Sequence, residues 1–523
     1  YYENLLRRLM LENPHTAEVL LQPSLTCGQA RQDRERESLG KTCKTLDEAQ
    51  RSRIISEQER LAALQQEPDR PEALSTIPHV RLSDLPRDPA PVPTEVEEDG
   101  RLVLHAVQTD GIVYPTVYFA ADDLTEEQLP YMSVLRAALG QLPAGGMDAL
   151  ELQKQLRLKL DGFSVALAPY SQYHDPQSYR LYAAVSFSAL EAKLPEAVRL
   201  AAQILTQTDF SDKAKLLELI CQQRDGLQQQ IVNSGSSAAM LRASAALNAA
   251  SACSERCAGV SYYRWLRELE QNFDARADEL IEMLRTLCEK LFVTARMRLS
   301  VTGGGGQSGA LIQSGLHEAL PDGAGAASGA PYRAQLLPIC KEGIVIPSEV
   351  SFTAVCGNVH AYSGDLRIAC RAASLGHYWN EIRVQGGAYG TGLLIRETGL
   401  VSAYTYRDPD CRRSRGAIGR TAAYLEAAAA SGEAQDVNII GAISDAEPLL
   451  SPRLQGAVAD TWLLKGMTMD DRRCMRHELL DAGPASLAAC AGPIGSALDT
   501  GIVCVFGPRT QLEACGDLSI QEL

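Results

Sequence analysis

The chain has 523 residues, 45% hydrophobic and 22% charged, enough for more than one core of the usual ~100–200 residues. A formal net charge of -15 opposes a phosphate backbone, which is bound through clustered Lys and Arg, so no nucleic acid is expected as a partner and basic or neutral ligands fit better. No apolar run approaches the ~20 residues that cross a bilayer, and the 14 cysteines are scattered without a Cys-x-x-Cys pair, so the expectation is no membrane span and reduced, mostly buried thiols in an intracellular compartment.

In chain order, the sequence starts at Tyr1 with neither a signal-peptide core nor an Arg/Ser-rich transit segment, and reads as the middle of a larger protein. Residues 1–24 are expected to end an upstream domain, with "HTAEVLLQPS" at 15–24 as its last strand, stopped by Pro23. Residues 25–95 read as a helical hairpin and Pro-rich linker. A capping box at Thr45 and Glu48 precedes Ile54, Ile55, Leu61 and Leu64 on one helix face, and prolines then exclude helix.

A first domain is expected over 96–302: two strands about the turn Thr109-Asp110-Gly111, helices at 125–142 and 148–161, the strand "YRLYAAVSFSAL", helices at 191–206, 212–250 and 261–291, and a closing strand "TARMRLSVTG". A Gly/Ala-rich linker follows at 303–333. A second domain over 334–523 repeats the scheme, with strands in "GIVIPSEVSFTAVCG", a helix at 364–380, strands around "GAYGTGLLIRETGLVSAYTYRDP", helices at 416–431 and 453–465, and the strand "TGIVCVFGP". The fold class is α+β: two related domains of mixed or antiparallel sheet packed on helices, preceded by a helical hairpin. The repeated order of elements points to a duplication.

The chemical motifs are few. Gly304, Gly306 and Gly309 spell Gly-x-Gly-x-x-Gly, but Asp322 has no second parallel strand to carry it to a ribose, so a linker reading is preferred to a nucleotide site. His15 and Glu18 begin an inverted zinc box that Val19 breaks, and neither His360 nor His377 has a partner for metal or hydrolase chemistry. In "EIRVQGGAYGTG", residues 381–392, Arg383 and Tyr389 are donors flanked by glycines, suited to a carbonyl, a carboxylate or a developing oxyanion. The alternative reading is a glycine-bulged strand, with Tyr389 packed on the sheet and Arg383 in a structural ion pair.

"IRVQGGAYG" followed by "TYRDPD" at 405–410 resembles the C-terminal half of the presequence protease and falcilysin branch of the pitrilysin-type, inverted-zincin metalloproteases. "NPHTAEVLLQPS", "PEALSTIPHVRLSDLP", "TDGIVY", "LTEEQLPYMSVL" and "SGSSAAMLRASAALN" agree with it in order. The resemblance implies half of a clamshell whose other, N-terminal half carries the zinc ligands and the general-base glutamate. This chain would bind no catalytic zinc and cleave nothing alone. Its partners would be that catalytic half and unfolded, basic peptides such as presequences, in a mitochondrion or plastid.

By the same resemblance Arg383 and Tyr389 would reach across the chamber as catalytic contacts to substrate. Gly386, Gly387 and Gly390 would shape the substrate-binding segment, while Tyr406, Arg407 and Asp408 would stabilise the neighbouring strand. The glycine stretch looks expanded beside the compact junction the resemblance implies, and residues 408–440 match it poorly. Two alternatives stay open: a non-catalytic scaffold subunit of this fold pairing with a separate catalytic chain, and a nucleotide-dependent oxidoreductase using the 304–309 glycines.

Overall fold

The computed structural model describes residues 1–24, 26–67, 69–78, 80–323 and 335–523, in two units, Tyr1–His79 and Val80–Leu523. In the first unit, the two expected helices are Cys27–Thr45 and Glu48–Gln66, joined at Leu46 and Asp47, with Ile54, Ile55, Leu61 and Leu64 exposed. The capping box is not Thr45 with Glu48. Thr45 is still helical and donates to Thr42 O, whereas Asp47 Oδ1 accepts from Gln50 N at 2.7 Å and Gln50 Oε1 accepts from Asp47 N at 3.0 Å. Residues 15–24, expected to end an upstream domain, pair with no strand of this chain among the described residues. The Pro-rich segment also admits one helical turn, Pro71–Leu74, with proline at its first position, where no amide is required.

The second unit begins with a strap rather than a free linker. Prolines lack an N–H but keep a carbonyl, and Pro86 O accepts from Arg476 Nε at 2.8 Å and Nη2 at 2.6 Å, while Arg87 makes a paired contact with Asp481 at 3.1 and 2.7 Å.

Two six-stranded sheets follow. The first contains β1 (Thr94–Val96), β2 (Leu102–His105), β3 (Ile112–Ala120), β4 (Asp161–Ser171), β5 (Tyr179–Leu190) and β6 (Met297–Thr302), in the order β1-β2-β6-β3-β5-β4. The second contains β7 (Glu342–Val345), β8 (Phe352–Asn358), β9 (Gly390–Ile395), β10 (Leu400–Tyr406), β11 (Ile502–Gly507) and β12 (Ser519–Glu522), in the order β12-β7-β11-β8-β10-β9. Apart from the outermost β1 and β12, the sheets correspond strand for strand, including the parallel pairs β2–β6 and β7–β11 among otherwise antiparallel neighbours. The repeat in the sequence is a repeat in topology. β2 and β3 are not a hairpin, although Asp110 and Gly111 do turn the chain at φ +51° and +85°: β6 inserts between them.

Each half lends a helix to the other. Lys213–Ser244 lies on the second sheet, where Ile231, Ala239 and Ala243 share a core with Ile344, Phe352 and Phe506, and Gly235 gives the Phe352 ring room that a Cβ would fill. Pro452–Leu464 lies on the first sheet, where Leu464 packs with Tyr118 and Tyr182, and buried Asp460 accepts from Tyr118 OH at 2.9 Å and faces His105 Nε2 at 2.9 Å. Arg242 of the first lent helix holds Glu342 of β7 through two bonds of 2.8 and 2.9 Å, and reaches buried Glu255 at 3.1 Å. Burial pushes the Glu342 carboxyl up, but the Arg242 guanidinium outweighs it, so the group lies below the usual carboxylate range.

The glycine stretch expected as linker starts as structure. Gly303, Gly304 and Gly305, at φ +81°, +70° and +67°, turn β6 into the helix Gly305–Ala319, where Gly309 packs on Leu104 and Gly315 on Val198. Ser308 donates to Glu191 at 2.9 Å, which sets a carboxylate beside the first turn, where a pyrophosphate would be repelled. The remaining Gly/Ala-rich residues, 324–334, including the expected boundary at 333–334, lie outside the described residues. No helix among the described residues is long and apolar enough to cross a membrane.

Candidate functional site

Arg383 and Tyr389 stand at the junction between a helix and the edge strand β9. Helix Gly364–Ala372 continues through a wider-wound stretch, Ala373–Val384, whose bonds run from residue i to i+5, as in Gln385 N to Asn380 O at 2.9 Å. Two glycines stop it. Gly387, at φ +80°, donates to Arg383 O at 2.9 Å and Ala388 N donates to Ile382 O at 3.1 Å, a left-handed helix stop. At Gly386 a Cβ would lie 2.4 Å from Ile382 O. Gly390 is different: as the first residue of β9, its Cβ would sit in ordinary contact, 3.4 Å from Tyr406 Cβ, so close packing does not require glycine there.

This stop delivers Tyr389 to the surface on a fixed backbone. Its amide donates to Tyr406 O at 3.0 Å and Arg407 O at 3.3 Å, its ring meets that of Tyr406 edge-on at 5.9 Å, and the residue is 68% exposed. Arg383 forms no ion pair among the described residues. Its guanidinium lies 4.1 Å over the Trp379 ring and 5.7 Å from the Tyr389 ring, so the aromatic faces orient it while its N–H groups remain available. The neighbouring carboxylate, Glu381, is taken by Arg420 at 2.9 Å. The geometry thus departs from a strand with Tyr389 packed on the sheet and Arg383 ion-paired. A phenol O–H and a fixed guanidinium side by side can donate to a carbonyl oxygen or a peptide backbone.

Behind them, "YRDP" is structural. Arg407 takes φ +50°, Asp408 is fully buried and exchanges two backbone bonds of 2.8 Å with Ser351, and Tyr406 OH donates to Asn233 O at 3.1 Å on the lent helix. Burial pushes the Asp408 carboxyl up. His377 is buried, stacked on Tyr424 at 5.1 Å with Nε2 2.8 Å from Ala417 O, and His360 is exposed. Trp379 was not among the residues singled out in the sequence. Its spacing of four from Arg383 on a helix was the available signal. Among the described residues no group of three or more His, Cys, Asp or Glu side chains converges to hold a metal ion, so no step through zinc is derived from them.

The family described as associated with M16 peptidases of subfamily C matches residues 21–269, and the presequence protease (PreP) C-terminal domain matches 341–492. Protein HypA of Clostridium perfringens is 25% identical over 99% of this chain and 54% of its own length. Presequence protease 1, chloroplastic/mitochondrial, of Arabidopsis thaliana is 25% identical over 99% of this chain and 48% of its own. The chain therefore spans about half the length of the curated relatives it matches.

Among solved structures, the peptidase M16 inactive domain from Pseudomonas fluorescens superposes with a TM-score of 0.57 at 14% identity, covering 80% of this chain and 98% of that one. A protease from Helicobacter pylori gives 0.54 at 12%, covering 80% and 100%. These two likenesses concern the fold. M16 peptidases are zinc metallopeptidases. Two family matches that together cover most of the sequence, relatives aligned along nearly all of it, and a shared two-sheet fold place the chain in the presequence-protease branch of the M16 peptidases, as their C-terminal half.

Proposed function

We propose that this chain is the substrate-binding, chamber-closing half of a zinc metalloendopeptidase that degrades unfolded, basic peptides such as presequences. In this reading the N-terminal half of the same enzyme holds the zinc, and a mitochondrion or plastid houses both. The observation that carries the reading is the exposed Tyr389 beside a guanidinium fixed on Trp379 rather than on a carboxylate. Buried donors would be spent on the fold; these two are presented. Tyr389 OH would donate to the scissile carbonyl or fix the peptide backbone, and Arg383 would hold a neighbouring carbonyl. Gly386 and Gly387 would act through the stop that presents Tyr389, and Gly390 through the start of the edge strand. The net charge of -15 would draw in basic peptides, an attraction that weakens with salt.

The test is cleavage of a quenched fluorescent basic peptide by the complete enzyme, comparing wild type with Arg383→Ala and Tyr389→Phe and measuring zinc content in each. Turnover should fall by roughly 10²–10³ for loss of one such donor, with zinc retained. Unchanged turnover in both variants would favour a scaffold that pairs with a separate catalytic chain.

A further inference from the structure

Two cysteines meet at the start of the helix that follows "YRDP". Cys411 opens the helix Cys411–Ile418, Cys515 ends the helix Arg509–Cys515, and their sulfurs lie 3.0 Å apart although 104 residues separate them in sequence. Cys411 is only 2% exposed. Cys515 is partly exposed and lines an opening of about 360 Å3 whose charged groups are Arg412, Arg415 and Lys341 against Asp499 and Asp517. We propose that Cys411 and Cys515 are a reversible dithiol–disulfide pair that reacts, through this opening with its one-charge excess of cations and with Arg412 beside it, with small disulfides bearing carboxylates, of the glutathione type.

The two thiols are unequal in the way such an exchange requires. Contact with the Cys411 sulfur, together with adjacent Arg415, holds the Cys515 thiol below the usual thiol range. Cys411, in contact with the Cys515 sulfur and buried beside Asp408, is pushed up. Asp517 opposes the effect on Cys515, but its carboxylate is engaged by Arg415 at 2.7 and 2.6 Å and by Lys341 at 3.2 Å. Cys515, the sulfur that reaches the opening beside Arg415, is the attacking one, and Cys411, shut away from it, the resolving one. The Cys515 thiolate attacks the small disulfide, whose S–S bond breaks to release one thiolate and leave a mixed disulfide on Cys515. Cys411 then gives up its proton and attacks the Cys515 sulfur, releasing the second thiolate. Both cysteines are oxidised, the small disulfide is reduced to two thiols, and the two protons lost by the protein end on those thiols. The new bond would staple the Cys411–Ile418 helix to the Arg509–Cys515 helix.

The intact protein is incubated with oxidised glutathione, alkylated, digested without reductant and mapped by mass spectrometry. The expected result is joint loss of alkylation at Cys411 and Cys515 and a linked peptide that disappears on reduction. Cys411→Ser should stop at a glutathione adduct on Cys515, whereas Cys515→Ser should leave Cys411 unmodified. The proposal is overturned if Cys411 and Cys515 stay alkylated as free thiols while exposed Cys27 and Cys43 take up glutathione, or if the wild type keeps the adduct on Cys515 unresolved.

Discussion

The same position in the two sheets is built in two ways. In the first sheet, helix Ala149–Lys159 passes into the edge strand β4 through the single residue Leu160, which is 6% exposed and belongs to the core. In the second, residues 385–389 intervene between Val384 and the edge strand β9, and the last of them, Tyr389, is 68% exposed. The strand order is common to both, so it does not account for the presented tyrosine. The longer connection does, together with the glycine stop that shapes it.

Four substitutions separate what holds the two halves together from what presents Tyr389. Arg242→Ala leaves Glu342 and Glu255 buried without their cation and should cost about 3–5 kcal/mol in denaturant unfolding, because both halves rest on that cluster. Leu160→Ala should cost about 2–5 kcal/mol of stability, as a core truncation does, while kcat and KM of the complete enzyme stay as they are. Gly387→Ala forces a side chain into the left-handed region and should cost about 1–2 kcal/mol, seen as a lower Tm, with peptide turnover falling as the stop loosens. Trp379→Ala removes an exposed cation–π contact of about 0.5–1 kcal/mol, so kcat/KM should fall about two- to fivefold with Tm nearly unchanged.

Much of this architecture was legible in the sequence because alternation, turns and helix period are local. The helices Cys27–Thr45 and Glu48–Gln66, the strand at 179–190 and the strand in "TGIVCVFGP" follow from their own residues. The misreadings come from partners distant in sequence. β4, in "DGFSVALAPYS", is a strand because β5 pairs along it, and nothing local to 102–120 announces that β6 will divide β2 from β3. Helix Gly305–Ala319 was hidden by its glycines, which read as flexible but serve close packing on Leu104 and Val198. At the candidate site, the glycines gave away an unusual backbone around Tyr389. That Arg383 rests on Trp379 depends on side-chain geometry that spacing only permits.

The most direct measurement is site-specific photocrosslinking in the complete enzyme, with p-benzoylphenylalanine placed at Tyr389 or, at the equivalent corner of the first sheet, at Leu158, which is 63% exposed. On illumination with a basic presequence-like peptide, the probe at 389 should capture the peptide and the probe at 158 should not. Equal capture at both positions, or none at 389, would contradict the claim that the longer, glycine-stopped connection presents Tyr389 to substrate.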